Sequence, residues 1–389
     1  KVTFYLFSPI IILSILITQP FIKIRLSYQS SERLGDFATH MEVYLSEKKI
    51  YNSKNYFDIF ILTNIISNET FTNLLKKKVR IIPDYIAYPV FHIIQKLGGR
   101  FKFFQNFILN TKFDDNNFSI MRTPCNLIPD ENFIKKGNDF LKSINVPNDA
   151  QIICLIVREN AYLKKKFPNK NWDYHEYRNC NIENYRMAIN AATERGYYVF
   201  RMGQYVEKKV KIDGNDKFID YSSNFRSDFL DIYLAYRCKF CITTSTGWDC
   251  VPAFTFRKPI LYHNMVYLPD MLQFDGNFEK IILPKKIYIK SLKKFMNYRD
   301  TFDKNYIRKK SENKSNFNDI EIIENTPDEI YSASIEMYDL IVDKKNSKVD
   351  QEEFYNIFEK FYSNSLVKKT MISNKFYLDN IKMFSNENK

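Results

Sequence analysis

The stretch Gln151–Asn160, QIICLIVREN, decides the fold. Every residue from Ile152 to Val157 is apolar, and the run stops abruptly at Arg158-Glu159-Asn160. A strand with one wet face alternates polar and apolar side chains. A strand apolar throughout belongs to a sheet covered on both faces, as parallel sheets are. Tyr197–Arg201 (YYVFR), Phe240–Thr243 (FCIT) and Lys258–Tyr262 (KPILY) read the same way. Between them lie Ile182–Arg195, a helix that Gly196 ends, and Ser227–Arg237, a helix that Ser227 caps. Lys217–Tyr221 adds a short strand. Strand and helix in alternation predict a parallel α/β sheet.

The same alternation holds upstream. Ile22–Tyr28, Tyr56–Leu62 and Val79–Ile82 read as strands, and Asp36–Lys48, Asn68–Lys78 and Tyr85–Leu97 as helices. Phe101–Asn148, broken by Pro124, Pro129 and Pro147, reads as an irregular bridge, so the domain boundary is placed near Asn148. Downstream, Lys285–Lys314 reads as an exposed, lysine-rich run. Thr326-Pro327-Asp328-Glu329 is a helix start with cap, proline and acids in place. Asn346–Lys389 reads as helical segments with a frayed end. The expected division is 1–22, 23–148, 149–325 and 326–389.

Lys+Arg number 58 against 45 Asp+Glu, a net charge of +13 that favours anionic partners. No nucleic-acid-binding module is recognisable, so nucleic acid is not an expected partner. The six cysteines are scattered, as in a reducing compartment. Cys238 and Cys241 have CxxC spacing without a second ligand pair, and the four histidines stand far apart, so no metal site is expected. Val2–Ile22 is uncharged and mostly apolar, followed by Lys23, Arg25 and Arg33. It reads as a membrane-associated helix, and the downstream cations place the body on the cytoplasmic face. Pro9 and Pro20 leave a kinked or interfacial helix, or a buried core helix, as alternatives.

Ligands of open parallel sheets bind beyond the carboxyl ends of the strands. Three clusters follow strand ends. Ser31–Asp36 (SERLGD) leads into a helix that carries Asp36, His40 and Glu42; it also reads as a simple turn. Arg158 follows the central strand, with His175, Arg178 and Asn179 before the next helix. A guanidinium there can fork onto two phosphate oxygens, or it can pair with Glu159 at the surface. Thr243–Gly247 (TTSTG) offers hydroxyls and backbone N–H groups to an anion, or it serves as an ordinary helix cap. No Walker lysine, GxGxxG or acidic metal-binding pair stands among them, so no cofactor is expected.

On these residues the chain resembles a family of bacterial glycosyltransferases linked to surface-carbohydrate synthesis. The resemblance runs over most of Ile22–Leu340. It rests on SERLGDFATHMEVYL (Ser31–Leu45), VREN (Val157–Asn160), YRN (Tyr177–Asn179), YVFRMG (Tyr198–Gly203), IDYS (Ile219–Ser222), SDFLDIY (Ser227–Tyr233), TTSTGWDCVP (Thr243–Pro252) and NTPDEIYSASIEM (Asn325–Met337) in shared order. It implies the GT-B arrangement: two Rossmann-like domains with parallel sheets facing a cleft, the nucleotide diphospho-sugar donor on the C-terminal one, and a glycan or glycolipid acceptor. Arg158 is also similar to the strand-end His-x-Arg-Arg signature of fucosyltransferase-like GT-B enzymes, with Ile156 in place of the His and Glu159 in place of the second Arg. Under this resemblance Arg158 and Thr244, Ser245, Thr246 and Gly247 hold the diphosphate. Arg178, Asn179, Arg201, Gly203 and Asp220 shape the donor pocket, and Asp36, His40 or Glu42 supplies the base. A sugar-nucleotide epimerase of the same two-domain plan and a non-catalytic basic binding protein are the rival classes.

Overall fold

The structure, a computed structural model, describes residues 2–51, 56–112, 115, 119–166, 168–169, 173–266, 278–301, 319–343, 349–361 and 370–385. The chain opens with helix α1 (Val2–Thr18). Strands β1 (Lys23–Gln29), β2 (Tyr56–Leu62) and β3 (Arg80–Ile82) then form a parallel sheet in the order β1-β2-β3. Helices α2 (Leu34–Ile50) and α3 (Glu69–Lys76) connect them, and α4 (Asp84–Arg100) follows β3. Asn68 caps α3, its side chain accepting from Phe71 N. Asp58, the one acid in β2, lies opposite Arg25 in register and is held in a two-point ion pair at 2.7 and 3.0 Å. Tyr44 Oη donates to the same carboxylate. Burial alone would raise the Asp58 pKa, but these partners pull it below the ordinary range.

The bridge Phe101–Asn148 is more regular than its prolines suggest. It contains a 3₁₀ turn at Lys102–Phe107, short helix α5 (Ser119–Arg122), and α6 (Glu131–Ser143), which starts where Asp130 accepts from Phe133 N. Asp115 lies among the described residues, but the rest of the polar turn read at Asp114–Asn117 lies outside them.

The second half is a seven-stranded sheet, parallel at every pairing. Its strands are β4 (Ile152–Ile156), β5 (Tyr198–Arg201), β6 (Phe218–Ile219), β7 (Phe240–Thr243), β8 (Ile260–Met265), β9 (Lys280–Pro284) and, from the C-terminal tail, Thr370–Ile372. The apolar run that decides the fold lies near the middle, between β7 and β5, and all five residues of β4 are buried. Helices α7 (Ala161–Lys166), α8 (Arg186–Glu194), α9 (Tyr221–Asn224) and α10 (Asp228–Arg237) lie between these strands, and Ser227 caps α10. A capping box joins Thr326 and Glu329 at the start of the helix Pro327–Tyr338.

Two expectations need correction. The tail is not all helix: Thr370–Ile372 pairs with β9 at the sheet edge. The lysine-rich run is not uniformly exposed. Lys285 is buried, and Lys286–Ile289 is the middle strand of a small antiparallel sheet with Lys294–Phe295 and Ile320–Ile323. Residues 302–314 of that run lie outside the described residues. The two halves are also joined, because one hydrophobic core runs from Phe37, Met41 and Phe71 of the first half to Trp248, Val251 and Phe254 of the second.

A buried ion pair crosses this junction. Arg257 donates to Glu42 Oε1 at 2.7 Å, with the Glu42 side chain 1% exposed and that of Arg257 8%. Removing one partner leaves the other charged and desolvated, at a typical cost of about 3–5 kcal/mol. Arg257→Ala should therefore lower unfolding stability by about that amount, and adding Glu42→Gln should recover part of it. Urea denaturation of the wild type, single and double variants checks this; a loss of under about 1 kcal/mol in Arg257→Ala would show that the pair does not hold the halves together.

Candidate functional site at the junction of the two halves

The carboxyl end of β4 passes directly to Arg158. Its backbone is fixed on two sides: the N–H donates to Thr244 Oγ1 at 2.8 Å, and the carbonyl accepts from Cys180 N at 3.0 Å. The side chain is half-buried, and Nε is buried with no hydrogen-bond partner among the described residues. Glu159 is not its partner. That carboxylate turns away to Arg201 at 2.8 Å and accepts from Glu207 N. Burial, then the nearby guanidinium of Arg178 and, more weakly, that of Arg33, hold the Arg158 pKa down to about 10, so it is still charged at neutral pH. An Arg depressed by burial and neighbouring cations, with no carboxylate paired to it among the described residues, marks a place where a negative ligand would be stabilised.

Arg178 reaches the same place from the loop before α8. Its Nη2 donates to the carbonyl of Ser245 at 3.0 Å. The backbone beneath it rests on Lys285, whose Nζ donates to the carbonyls of Tyr177 and Asn179 at 2.9 and 3.1 Å. Asn179 Oδ1 and Asn160 Oδ1 are both buried without a partner among the described residues. The His175 side chain lies outside the described residues.

The turn after β7 has a different role from the expected one. Helical backbone begins at Cys250 and continues only as a π-helical turn, Val251–Thr255, so no long helix starts from this turn. The backbone N–H groups of Thr244, Ser245 and Thr246 are spent internally, on Ile156 O, Thr243 Oγ1 and Asp249 Oδ2. Ser245 adopts a positive φ of 58°, and its carbonyl accepts from Arg178. The turn therefore positions a guanidinium; it is not a cradle of free N–H groups. Thr246 Oγ1 is buried and unpartnered among the described residues. Asp249, which the sequence reading passed over, organises this turn by accepting from Thr243 Oγ1 at 2.8 Å and Thr246 N at 3.0 Å.

Gly247 then meets the first half. A Cβ built on Gly35 would lie 2.7 Å from Gly247 Cα and 2.9 Å from its carbonyl oxygen, so only glycine permits this backbone-to-backbone approach. The contact brings the start of α2, with Arg33 and half-buried Asp36, against the turn. His40 stands one turn further along the same helical face as Asp36. Its ring is oriented by a chain: Gln29 Nε2 donates to Ser30 O, Thr111 Oγ1 donates to Gln29 Oε1 at 2.6 Å, and His40 Nδ1 lies 3.0 Å from Thr111 Oγ1. The threonine proton is used on Gln29, so Nδ1 is the donor in this bond, and in the neutral ring the lone pair is on Nε2.

Other expected site residues lie elsewhere. Glu42 is not a base in the crevice, because it is buried at the junction, paired with Arg257 and hydrogen-bonded by Asn126. Burial pushes its carboxyl pKa up against those partners. Arg201 is 1% exposed and is gripped by Glu159 and Asp220, with Nη1 also donating to Lys208 O. Asp220 accepts from Arg201, Val210 N, Ser222 and Ser223. These two are tied to each other and to the segment after β5. Gly203 follows β5 with φ +152°, and a Cβ there would press on Val206 at 3.1 Å. A pocket between Gln151, Arg195 and Tyr338 opens at the amino edge of the sheet, away from all of this chemistry.

The sequence matches no family model, and no curated protein is similar to it. Among solved structures, it is similar to ADP-heptose lipopolysaccharide heptosyltransferase II of E. coli (12% identity, TM-score 0.40, 66% of this chain and 90% of that one). It is also similar to a glycosyltransferase family 9 protein of Veillonella parvula (13%, TM-score 0.41, 68% and 86%) and to E. coli heptosyltransferase WaaC with ADP (10%, TM-score 0.33, 67% and 91%). At these identities and scores the likeness decides neither substrate nor reaction.

Burial raises the Asp249 pKa from 3.8 to about 6, against the hydrogen bonds it accepts. Between those values the folded chain keeps a proton that the unfolded chain releases, so the contribution of Asp249 to stability is full below about pH 4 and is lost as pH rises through about 6. Asp231, also raised to about 6 by burial, acts in the same direction. Asp249→Asn should remove its own share, about 3 kcal/mol, from the decline between pH 4 and 6. Urea midpoints across that range test it; an unchanged decline would mean that Asp249 ionises as an ordinary carboxylate.

Proposed function

We propose that the protein is a glycosyltransferase that moves a sugar from a nucleotide diphospho-sugar to a surface glycan or lipid-linked acceptor, at the cytoplasmic face of a membrane. The observation that carries this reading is the guanidinium of Arg158. It stands at the carboxyl end of the central strand, beside Arg178, with a buried Nε that no described residue satisfies. A diphosphate supplies the paired, in-plane oxygens that such a fork binds. The resemblance at VREN, YRN and TTSTG points to the same ligand, and at Arg158 it extends to a hexosyl or fucosyl donor.

In this mechanism the acceptor hydroxyl gives its proton to the first half. His40 is the proposed base, because the chain through Thr111 and Gln29 sets its tautomer with the lone pair on Nε2. Asp36, on the same helical face, holds the acceptor. The hydroxyl oxygen attacks the anomeric carbon as the bond to the diphosphate breaks. Charge accumulates on the leaving oxygens, where Arg158 and Arg178 stand already oriented. No step requires a metal, and no cofactor is invoked.

Arg158→Ala should lower turnover by about 10²–10³ while the chain stays folded, since one preorganised donor to a developing anion is typically worth that much. Arg158→Lys should recover only part, because an ammonium lacks the planar fork. His40→Gln should lose turnover by about 10²–10⁴ and keep donor affinity. Turnover, nucleoside-diphosphate binding and thermal melts of the three variants test this together. Near-normal turnover in Arg158→Ala would remove the diphosphate from this site.

A further inference from the structure

Helix α1 is apolar on both faces. Its inward stripe, Ile12, Ile15 and Leu16, packs with α4 and the first sheet in one hydrophobic cluster, and Ser8 on the same face is buried. Its outward stripe, Leu6, Ile10, Leu13 and Ile17, recurs at helical spacing and is 57 to 75% exposed. A helix hydrophobic all round is one whose outer face is also covered. Among the described residues, no helix is long and apolar enough to cross a membrane. Cations and aromatics rim the face at the amino edge of the sheet: Lys23, Arg100 and Lys102 are exposed beside Phe21, Phe101 and Phe103. That mixture is the chemistry of a headgroup interface.

We infer that the outward stripe of α1 rests in the surface of an anionic lipid bilayer, and that the acceptor reaches the crevice while anchored in that bilayer. The chain order supports the second half of this inference. Helix α4 starts where β3 ends, so its first turns stand at the carboxyl edge of the sheet, and Phe4 and Tyr5 of α1 meet Tyr85 and His92 there. Tyr28, near the carboxyl end of β1, packs on Tyr88 and Phe91 of α4 with ring centroids 4.9 and 5.9 Å away. The next residues are Gln29 and Ser30, which orient His40. A run of aromatic contacts thus links the bilayer-facing helix, through α4, to the end of β1 beside the crevice. The acceptor half of the inference rests on the reading of that crevice as a sugar-transfer site; the docking surface does not.

The full chain is to be sedimented with vesicles of phosphatidylcholine containing phosphatidylglycerol, beside the variant Leu6→Glu/Ile10→Glu/Ile17→Glu. All three side chains are exposed, so the variant should keep the wild-type melting temperature and its affinity for nucleoside diphosphates. Wild-type protein should sediment with the vesicles, and less so at high salt. The variant should partition at least about 100-fold more weakly, as expected when even two large aliphatic side chains lose their burial. Wild type left in the supernatant, or a variant that sediments equally, overturns the docking surface. So does a wild-type dimer in solution that the substitutions make monomeric. With labelled nucleotide-sugar and vesicles made from the native membrane lipids, product should extract with the lipid and fall in the variant; label found only in water-soluble glycan overturns the lipid-anchored acceptor. Vesicle binding without any nucleoside-diphosphate binding would refute the sugar-transfer reading and leave the surface standing.

Discussion

Two glycines, Gly35 and Gly247, bring the backbones of the two halves into contact, and the crevice depends on that approach. Any side chain at Gly35 would displace the start of α2 from the turn after β7, because the atoms it meets are main chain and cannot rotate away. The approach sets Arg33 and Asp36 against a turn whose Ser245 carbonyl holds Arg178. Behind it, the pair Arg257–Glu42 and a continuous apolar core fix the distance. The site is built where the halves are locked, so its geometry is set before any ligand arrives, which is what electrostatic preorganisation requires.

Two buried arginines show how burial and partners separate scaffold from site. Arg201 is almost wholly buried, but two carboxylates and a carbonyl satisfy it, so it stiffens the segment after β5. Arg158 is less buried, faces another guanidinium and has a hydrogen-bonding group left over. A buried cation without a counter-charge is costly. The folded chain sustains that cost at the carboxyl edge of a parallel sheet, which is where ligands of such sheets bind. Lys285 adds to the same imbalance, a buried ammonium that donates to the carbonyls of Tyr177 and Asn179 on either side of Arg178.

The strands and helices around the crevice were legible because their signals are local. The apolar run at Ile152–Val157, the caps at Asn68 and Ser227 and the box at Thr326–Glu329 each depend on residues within a few positions of one another. What was not legible depends on long-range partners. Glu42 looks like Asp36 and His40 in sequence, but its face of α2 turns to Arg257, 215 residues away. The alternation in Lys286–Ile289 was hidden by its lysines, and Lys285 could not be read as buried without the carbonyls it meets. The strand Thr370–Ile372 is too short to announce itself and exists because β9 offers an edge. Asp249 was hidden for the opposite reason: the hydroxyls of Thr243–Gly247 suggested an anion cradle, and the acid that ties up that turn lies two residues past it.

The central claim is that the crevice at this contact binds the nucleotide-sugar, with its diphosphate on Arg158 and Arg178 and its sugar facing the start of α2. Backbone hydrogen exchange, measured with and without a nucleoside diphosphate, tests it most directly. The account predicts simultaneous protection at the start of α2 around Arg33–Asp36, at Val157–Asn160 and at Thr243–Gly247. Protection confined to the amino edge of the large sheet, or to one half alone, would contradict it.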